Sequence, residues 1–486
     1  MFEFDLSRLP EPPVKLNEIL KPAKTFVVGG ILRDAILLAQ QRGETVIRET
    51  AGGDWDLATP HPPKEVLKRL RKAKIAAAPI GIEHGTVAAI IDDKQYEITT
   101  FRYDLKYPDG RHPVVQFADS IEEDLRRRDF TVNAFALDME TGKILDLFGG
   151  AEDLRARRIR TVGDPETRFR EDYLRMLRAA RFAAKLEGEI EGETFAAMRR
   201  SAALISGISA ERIRDELMKM LTYHKPSHGF ILMHQCGLLR YILPELEAGF
   251  GVRQNRFHSH DVAMHILLSV DALPPDYPLD RFATLMHDLG KVQAKQYQPF
   301  KGDYVFYGHQ YLSKKMTKRI MRRLRFSNNE IETTSAIVEN HMYNLKPDLS
   351  QPAARRFLRK LGRENVDGFL RMRMADRKGN QFNADGYEKG IFHFVRTVRA
   401  IDRAEDALTV RDLAISGHDL IQMGLTPGPV FSIILDQLLE EIIDDPSLNN
   451  REWLLQRARG FAEEFWKTGT IAIPEKTPIP DEEKEE

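Results

Sequence analysis

The spacing of apolar residues changes near Gly150, and that change limits the fold more than any other feature of the 486-residue sequence. Before this point, short apolar runs typical of strands alternate with helical patterns. Residues 25–28 predict a buried strand, and a double glycine then turns the chain into a predicted helix over 31–41. Two further strands, 85–91 and 95–100, are predicted on either side of a two-residue turn.

After Gly150, apolar residues recur at three- and four-residue spacings, which predicts helix after helix. The predicted helices cover residues 172–186, 281–292, 314–326 and 329–341. We therefore predict an α+β fold, in which an N-terminal sheet with helices is followed by an all-α remainder. The Pro- and acid-rich residues 474–486 are predicted to be a disordered tail.

Charge and cysteine content exclude several classes of protein. Because the formal net charge is −1, any nucleic-acid partner must be bound by local basic patches. Cys236 is the only cysteine, which excludes an internal disulfide framework and a cysteine-rich zinc site. The N-terminus lacks the pattern of a signal peptide, and no apolar stretch approaches the roughly 18 residues of a membrane span. We predict a cytoplasmic protein with no membrane partner.

Asp54 and Asp56 form a D-x-D pattern in the first half of the chain. In a strand, residues two apart face the same side, so two carboxylates placed there can hold Mg²⁺ through oxygen ligands. Glu97 lies on a later predicted strand and is a natural third ligand. The alternatives are surface acids for the pair and an exposed edge residue for Glu97.

Gly29 and Gly30 lie at a strand-to-helix junction, where glycines let a phosphate approach backbone N–H groups. A tight turn alone is the alternative. Arg33 follows directly and either contacts phosphate or pairs with Asp34. Three consecutive arginines, 126–128, lead into an apolar segment, which favours phosphate neutralisation over a solvated charge run.

Short motifs in a fixed order carry a resemblance to a known family. They are GGILRD (29–34), GDWDLAT (53–59), EITTFR (97–102), DLRRRDFTVNAFA (124–136), DLFGGAEDL (146–154), TVGDPETRFREDYLRMLRAARFAA (161–184) and ISAERIRDEL (208–217). The ordered set resembles the bacterial-type CCA-adding tRNA nucleotidyltransferases, in the class II branch that includes the poly(A) polymerases. The resemblance implies a polymerase-beta-like nucleotidyltransferase head, followed by an all-α neck and body, that adds nucleotides to RNA 3′ ends with two Mg²⁺ ions.

The resemblance also implies roles for individual residues. Asp54, Asp56 and Glu97 would be the catalytic carboxylates that bind Mg²⁺. The incoming nucleotide would be bound by Gly29, Gly30, Arg33, Arg127, Arg128, Asp129, Asn133, Asp172, Arg175, Arg178 and Arg181.

Asp172 and Arg175 match an E-D-x-x-R pattern whose Asp and Arg read the edge of the incoming base in this family. Three residues apart on a helix, they would project from one face. A carboxylate accepts a hydrogen bond from an exocyclic amine, and a guanidinium donates to a ring nitrogen or carbonyl. Cytosine and adenine carry such an amine and uracil does not, so this pair would accept C and A. The alternative is an i,i+3 surface salt bridge.

Residues 103–119 resemble the flexible loop that full CCA-adding members use when they switch from C to A. We therefore predict that C and A are added to the tRNA 3′ end from CTP and ATP without a template, with release of pyrophosphate. An A-adding enzyme or a poly(A) polymerase is the close alternative.

A second set of candidate metal ligands lies further along the chain. Adjacent His287 and Asp288 can ligate one divalent metal through nitrogen and oxygen. The order H…HD…H…H…D resembles the HD phosphohydrolase superfamily and implies a metal-dependent phosphatase or phosphodiesterase. Its site would comprise His265, His287, Asp288, His309, His341 and Asp376. An inactive scaffold is the alternative, and His258 and His260 are predicted to be surface residues.

Two basic stretches, 155–181 and 314–325, are where a tRNA backbone would rest, although the second is equally well a solvated helix face. The sequence leaves two other classes open: an HD phosphohydrolase whose N-terminal half only binds RNA, and a pure RNA-binding protein. The predicted domains are a catalytic head, a helical neck, an HD domain and a helical tail, over residues 1–150, 151–250, 251–400 and 401–486.

Overall fold

A computed structural model describes residues 2–50, 52–82, 85–106, 114–256, 258–380 and 387–468. The tip of the predicted loop and the predicted acidic tail lie outside the described residues. The chain divides into two compact units, Met1–Glu247 and Ala248–Glu486. No helix among the described residues is long and apolar enough to cross a membrane. The four-part domain division stays a prediction.

Short strands dominate the first half of unit 1. They are β1 (Glu3–Phe4), β2 (Phe26–Val28), β3 (Val46–Ile47), β4 (Asp56–Thr59), β5 (Ala76–Gly81), β6 (Thr86–Ile91), β7 (Lys94–Thr100), β8 (Arg102–Lys106), β9 (Val114–Phe117), β10 (Phe135–Asp138), β11 (Ile144–Asp146), β12 (Arg158–Ile159) and β13 (Glu189–Ile190).

The helices of unit 1 cover the sheet first and then succeed one another after β12. They are α1 (Glu11–Leu20), α2 (Gly30–Arg42), α3 (Pro63–Lys72), α4 (Ile121–Arg126), α5 (Gly150–Arg155), α6 (Pro165–Glu171), α7 (Leu174–Leu186), α8 (Gly192–Ser201), α9 (Ala210–Met220), α10 (Pro226–Gln235), α11 (Leu239–Ile242) and α12 (Pro244–Glu247).

The main sheet of the described chain has the order β11-β10-β2-β4-β7-β6-β5. Strand β2 runs antiparallel to β4, and β4 runs parallel to β7. All three residues of β2 are buried, as are the last three of β4, so these strands lie in the core with both faces covered. The junction between β2 and α2 therefore begins at a buried strand in the centre of the sheet.

The predicted strands of the head are confirmed, including the β6–β7 hairpin. Its turn residues Asp92 and Asp93 have φ of 50° and 59°, the left-handed backbone that a two-residue hairpin turn requires. The loop predicted at 103–119 differs. Its described ends are the antiparallel strands β8 and β9, paired from Arg102 with Phe117.

Unit 2 is mainly helical. Its elements are α13 (Val262–Asp271), α14 (Pro278–Met286), α15 (Lys291–Ala294), β14 (Gln296–Gln298), β15 (Asp303–Val305), α16 (His309–Arg323), α17 (Asn328–Asn340), α18 (Gln351–Leu361), α19 (Val366–Asn380), α20 (Tyr387–Arg403), α21 (Gly417–Gln422), α22 (Pro429–Asp444) and α23 (Arg451–Thr468).

The α+β class is confirmed, with two small additions to the helical part. Strands β12 and β13 pair in parallel, and β14 and β15 form an antiparallel hairpin. The helices predicted over 314–326 and 329–341 are α16 and α17, although α16 begins five residues earlier.

The single helix predicted over 281–292 is wrong, because the chain turns at residues 287–290 between α14 and α15. Gly290 lies so close to α16 that a Cβ built on it would be 2.3 Å from the His309 carbonyl oxygen. The turn thus depends on a close backbone approach between segments distant in sequence. It leaves His287 and Asp288 at the end of α14.

Candidate active sites

The backbone of Gly29 and the carboxylate of Asp56 are in close contact at the start of α2. Gly29 has φ +89°, and a Cβ built there would lie 2.8 Å from Asp56 Oδ2. Glycine is required on both counts, because a side chain is strained at this φ and would displace the carboxylate. Asp56 is held in place by its strand, since it pairs with Val28 of β2.

Asp56 shares its surroundings with two other acids. Glu97 lies on β7, and the pairing of Leu57 with Ile98 sets it beside Asp56 on the parallel strand. Burial raises the pKa of Asp56 to about 6, and the charges of Glu97 and Asp54 add to the rise. A divalent cation would reduce the repulsion between carboxylates that are crowded in this way, and carboxylate oxygens are the ligands that Mg²⁺ prefers.

The positions of Asp54 and Glu97 each differ in one respect from what the sequence suggested. Asp54 is exposed and precedes β4, so the D-x-D pattern does not lie within a strand, although the charges of Asp54 and Asp56 still interact. Glu97 is exposed but does not lie at an edge, because β7 is between β4 and β6.

A buried network ties α2 to the helical neck. Arg33 donates two hydrogen bonds to Asp34 and a third, of 2.8 Å, to Asn133 Oδ1. Asn133 in turn donates to Asp129, and Lys185 of α7 donates to Asp34 over 2.8 Å. Arg33 therefore pairs with Asp34, one of the two roles left open by the sequence.

Asp129 is the anion at the centre of this network. Burial alone would raise the pKa of Asp129. However, Arg178 donates two hydrogen bonds to its Oδ2, of 2.6 and 2.8 Å, and Asn133 donates another to its Oδ1. The positive charge of Arg178 and these hydrogen bonds lower the pKa to about 2. A carboxylate that stays ionised in this way holds the arginine in one orientation.

Phe182 of α7 is the apolar centre of an arginine cluster. The guanidinium carbons of Arg181, Arg33 and Arg178 lie 4.1, 5.1 and 5.4 Å from its ring centroid, within the range of cation–π attraction. Glu216 of α9 accepts from Arg181 over 2.5 Å and from Arg178 over 3.4 Å. Arg178 and Arg181 are thus fixed from two sides.

Arg127 and Arg128 both bind the buried Asp124, over 2.8 and 3.2 Å. Pairing with Asp124 orients both arginines. It also neutralises part of the positive charge that was predicted to bind phosphate. The positive charge of Arg128 also opposes the rise in the pKa of Asp56. Arg128 therefore acts electrostatically on the acidic site.

The predicted helix over 172–186 begins two residues late. Asp172 has an extended backbone between α6 and α7, and its Oδ1 accepts from the Leu174 N–H that opens α7. Arg175 lies in the first turn, and its N–H donates to the Asp172 carbonyl. Asp172 therefore lies before the helix and Arg175 within its first turn, so the two do not project from one helix face as predicted.

Each base-reading candidate has a charged partner. Asp172 accepts from Arg212 of α9 over 2.6 and 3.3 Å, and Arg175 binds Glu171 and the Arg127 carbonyl. Arg212 and Glu216 were given no role by the sequence, although both lie in the ISAERIRDEL motif. Their four-residue spacing on one helix face was the available signal.

In unit 2 the six predicted metal ligands form one cluster, with Asp288 at its centre. Asp288 Oδ1 is 3.2 Å from His309 Nε2 and 3.4 Å from His341 Nε2, and Asp288 Oδ2 is 3.3 Å from both His265 Nε2 and His287 Nε2. Asp376 Oδ1 lies 3.1 and 3.4 Å from the last two.

The protonation of these histidines argues for a cation. The Nδ1 atoms of His287, His309 and His341 each contact a backbone carbonyl, so each Nδ1 must carry a proton. Nε2 of a neutral ring then offers a lone pair. The Nε2 atoms of His309 and His341 are only 3.2 Å apart, which suits two ligands of one ion.

The two carboxylates attract positive charge into the cluster. Burial lowers the pKa of His341 to about 4, so this ring is neutral, whereas the carboxylates of Asp288 and Asp376 overcome burial and raise the pKa of His287 to about 10. A metal ion would take the place of the proton that these carboxylates hold on His287. Both ring nitrogens of His265 are buried, and its Nε2 lies 3.1 Å from Asp376 Oδ1 and 3.3 Å from Asp288 Oδ2. A buried imidazole nitrogen beside two carboxylates fits metal coordination.

A cavity of about 760 Å³ opens onto this cluster. Lys291 stands at its wall and donates to Asp288 over 2.6 Å and to Gln254 over 2.9 Å. The prediction that His258 is a surface residue is wrong. Its Nε2 lies 3.3 Å from Lys291 Nζ, and its ring packs against His265 at 5.3 Å.

Three family models match the chain. Residues 25–160 match the poly A polymerase head domain, residues 189–250 the probable RNA and SrmB-binding site of polymerase A, and residues 306–458 a putative domain 2 of tRNA nucleotidyltransferase.

Similar proteins cover nearly the whole chain. A CCA-adding enzyme of Streptococcus suis is 33% identical over 94% of this chain and 99% of its own. An A-adding tRNA nucleotidyltransferase of Deinococcus radiodurans is 32% identical over 86% and 91%. The crystal structure of the Bacillus stearothermophilus CCA-adding enzyme in complex with CTP has a TM-score of 0.68 and 27% identity, and covers 94% of this chain and 100% of its own.

The sheet, the carboxylate site and the arginine-lined neck define a nucleotidyltransferase. The chain belongs to the tRNA nucleotidyltransferase family of CCA-adding and A-adding enzymes. Nucleotidyltransferases of this family use divalent metals. The roles of individual residues and the HD-type hydrolase stay predictions.

We expect Gly29→Ala to slow catalysis strongly, because the added Cβ would lie 2.8 Å from Asp56 Oδ2. The control is Gly43→Ala at the other end of α2, which has φ +70° and no described atom within 4 Å of a built Cβ. Both variants should lose roughly 1–3 kcal/mol of unfolding free energy from backbone strain. Only Gly29→Ala should slow nucleotide incorporation, by about 100-fold. Equal activity of the two variants would contradict this account.

Proposed function

We propose that unit 1 adds C and A to the 3′ end of tRNA, using CTP and ATP, and so completes the CCA sequence. The observation that carries the proposal is the group of Asp54, Asp56 and Glu97 beside Gly29. These residues would be the Mg²⁺ ligands. The cytoplasmic location predicted from the single cysteine is part of the same proposal.

In the proposed reaction the 3′ hydroxyl oxygen of the RNA bonds to the α-phosphorus of the nucleotide. The bond from that phosphorus to the α,β-bridging oxygen breaks, pyrophosphate leaves, and the hydroxyl proton is released. Bound Mg²⁺ would supply activation of the hydroxyl and neutralisation of the triphosphate. Helix α2 begins at Gly30, directly after the Gly29 that contacts Asp56, and a helix N-terminus favours anions.

Arginine side chains would bind the nucleotide around this centre. Arg128 is the best candidate for the triphosphate, because its charge already acts on Asp56. Arg33, Arg178 and Asn133 are held by buried partners and would act by positioning the sugar and phosphate contacts of their neighbours. A fixed, water-poor frame of this kind makes such contacts effective.

Base choice would rest on Asp172 and Arg175 at the start of α7. Asp172 accepts from Arg212 and from the Leu174 N–H, so its carboxylate has a set orientation. An exocyclic amine of cytosine or adenine would donate to it. We infer that Arg212 is a positioning residue for this contact.

Extension of tRNA tests the transferase directly. Purified protein with Mg²⁺ and tRNA lacking CCA should incorporate labelled CTP and then ATP. Asp56→Ala should reduce incorporation by roughly 100-fold or more, whereas Glu122→Ala, an exposed acid on α4, should not.

The nucleotide requirement separates the two branches of the family. If CTP is never used and only tRNA ending in CC is extended with ATP, the chain is an A-adding enzyme. Long A tracts on unstructured RNA would instead mark a poly(A) polymerase. Absence of any extension would contradict the proposal.

Asp172→Asn tests base choice. The amide replaces a charged acceptor of nearly the same shape, so kcat/KM for CTP and ATP should fall by about 10- to 100-fold, and UTP use should not. Asp164→Asn, an exposed helix cap before α6, is the matched control and should leave base preference unchanged. A uniform loss for all three nucleotides would refute this role for Asp172.

A specific observation favours a second activity in unit 2. We propose that His265, His287, Asp288, His309, His341 and Asp376 hold a divalent metal and that the site hydrolyses a phosphate ester. The convergence of four imidazole Nε2 atoms on one carboxylate supports it. Imidazole and carboxylate together favour a transition-metal ion over Mg²⁺.

Hydrolysis of a 2′,3′-cyclic phosphate is the reaction proposed for this site. A water oxygen bonds to phosphorus, one P–O bond to the ribose breaks, and the freed ribose oxygen takes a proton. The bound metal would polarise the phosphate and lower the pKa of water. Lys291 sits at the cavity wall with Asp288 and would face the phosphate charge.

His287→Ala should remove both bound metal and hydrolysis of 2′,3′-cyclic AMP while tRNA extension continues. Metal content by mass spectrometry and hydrolysis rates would be compared with His418→Ala, an exposed histidine of α21. A wild-type protein that binds no transition metal and hydrolyses nothing would establish the inactive scaffold instead.

A further inference from the structure

A hairpin with exposed aromatic side chains stands beside the cavity of unit 2. Strands β14 and β15 pair from Gln296 with Val305, and their turn is closed by the Lys301 N–H bound to the Gln298 carbonyl. Phe300, in this turn, is 82% exposed, and Tyr297 is 57% exposed. Large apolar rings this open are unusual, because each leaves its area in water.

The hairpin is continuous with the cavity wall. Lys301, Asp303 and Tyr304 line the cavity that also contains Asp288 and Asp376. Tyr297 packs edge-on against Tyr304 at 5.5 Å, and Lys295 Nζ lies 4.0 Å from the centroid of the Tyr304 ring. Exposed and half-buried rings thus form a ledge that leads from the turn to the metal cluster. We call it the aromatic ledge: Tyr297, Phe300 and Tyr304.

The charges on the ledge decide what it would bind. Lys295 and Lys301 flank the rings, and Lys291 stands at the cavity wall. The one acid of the hairpin, Asp303, already accepts from the Arg256 and Tyr304 N–H groups. Rings interleaved with lysines are the surface that single-stranded nucleic acid prefers, since bases stack on rings while cations meet phosphates.

We propose that the aromatic ledge is a base-stacking subsite for single-stranded RNA whose 3′-terminal phosphate enters the cavity. The inference rests on the proposed hydrolase at the same site and names its substrate class. A free mononucleotide would occupy the cavity and leave the ledge uncovered. An RNA end would place its terminal phosphate at the cluster and stack an upstream base on Phe300.

Phe300→Ala tests the ledge, with Phe392→Ala as the matched control. Phe392 lies on α20 in the same unit, is 72% exposed and does not line the cavity. The substrates are 2′,3′-cyclic AMP and a single-stranded pentanucleotide ending in a 2′,3′-cyclic phosphate. Phe300→Ala should raise KM for the pentanucleotide at least about fivefold, without changing kcat or the KM for cyclic AMP. Phe392→Ala should change none of these values.

An unchanged pentanucleotide KM in Phe300→Ala would overturn the inference while the hydrolase stands. If the wild type hydrolyses neither substrate, the hydrolase proposal fails and cross-linking decides the subsite. A pentanucleotide with 4-thiouridine next to its 3′ end should cross-link, in wild type and Phe392→Ala, to a peptide containing residues 295–305. Cross-links found only elsewhere, or undiminished in Phe300→Ala, would overturn the inference.

Discussion

The charge of Asp56 is held where it is unfavourable, and the architecture of the transferase site depends on that constraint. Strand β4 fixes the carboxylate beside Glu97, burial raises its pKa to about 6, and the missing side chain of Gly29 leaves room for it. Acids crowded in this way gain from a divalent cation, which lowers the repulsion between them. Unit 2 differs, because four imidazole Nε2 atoms surround Asp288, and the charges of His287 and Lys291 overcome burial and hold its pKa well below the usual range.

The neck gives this site a fixed frame. Its cations are paired with buried acids, Arg178 and Arg181 with Glu216 and Asp129, so that burying them does not leave unpaired charge. Phe182 packs among the guanidinium groups and limits their movement. Asp172 and Arg175, the proposed base-reading pair, are likewise held by Arg212 and by the Arg127 carbonyl. Fixed contacts of this kind are what selection between similar nucleotides requires.

Local patterns predicted much of the fold from the sequence, and tertiary contacts account for what they missed. Alternation and turn residues identified the β6–β7 hairpin and the β2–α2 junction, because these features depend on neighbouring residues. The helix breaks before Leu174 and after Met286 were missed, since apolar spacing continues through both. His258 was misplaced because its contacts with Lys291 and with the His265 ring arise only when the chain folds. Ordered motifs found the candidate carboxylates, whereas partners such as Arg212 follow from how α9 packs.

The central claim is that Asp54, Asp56 and Glu97 hold the metal ions of nucleotide transfer. Anomalous diffraction from crystals containing Mn²⁺ and CTP measures this directly. The account predicts anomalous density within coordination distance of the Asp56 carboxylate, shared with the triphosphate and lost in Asp56→Ala. CTP bound at the start of α2 with no anomalous density near Asp56 would contradict it.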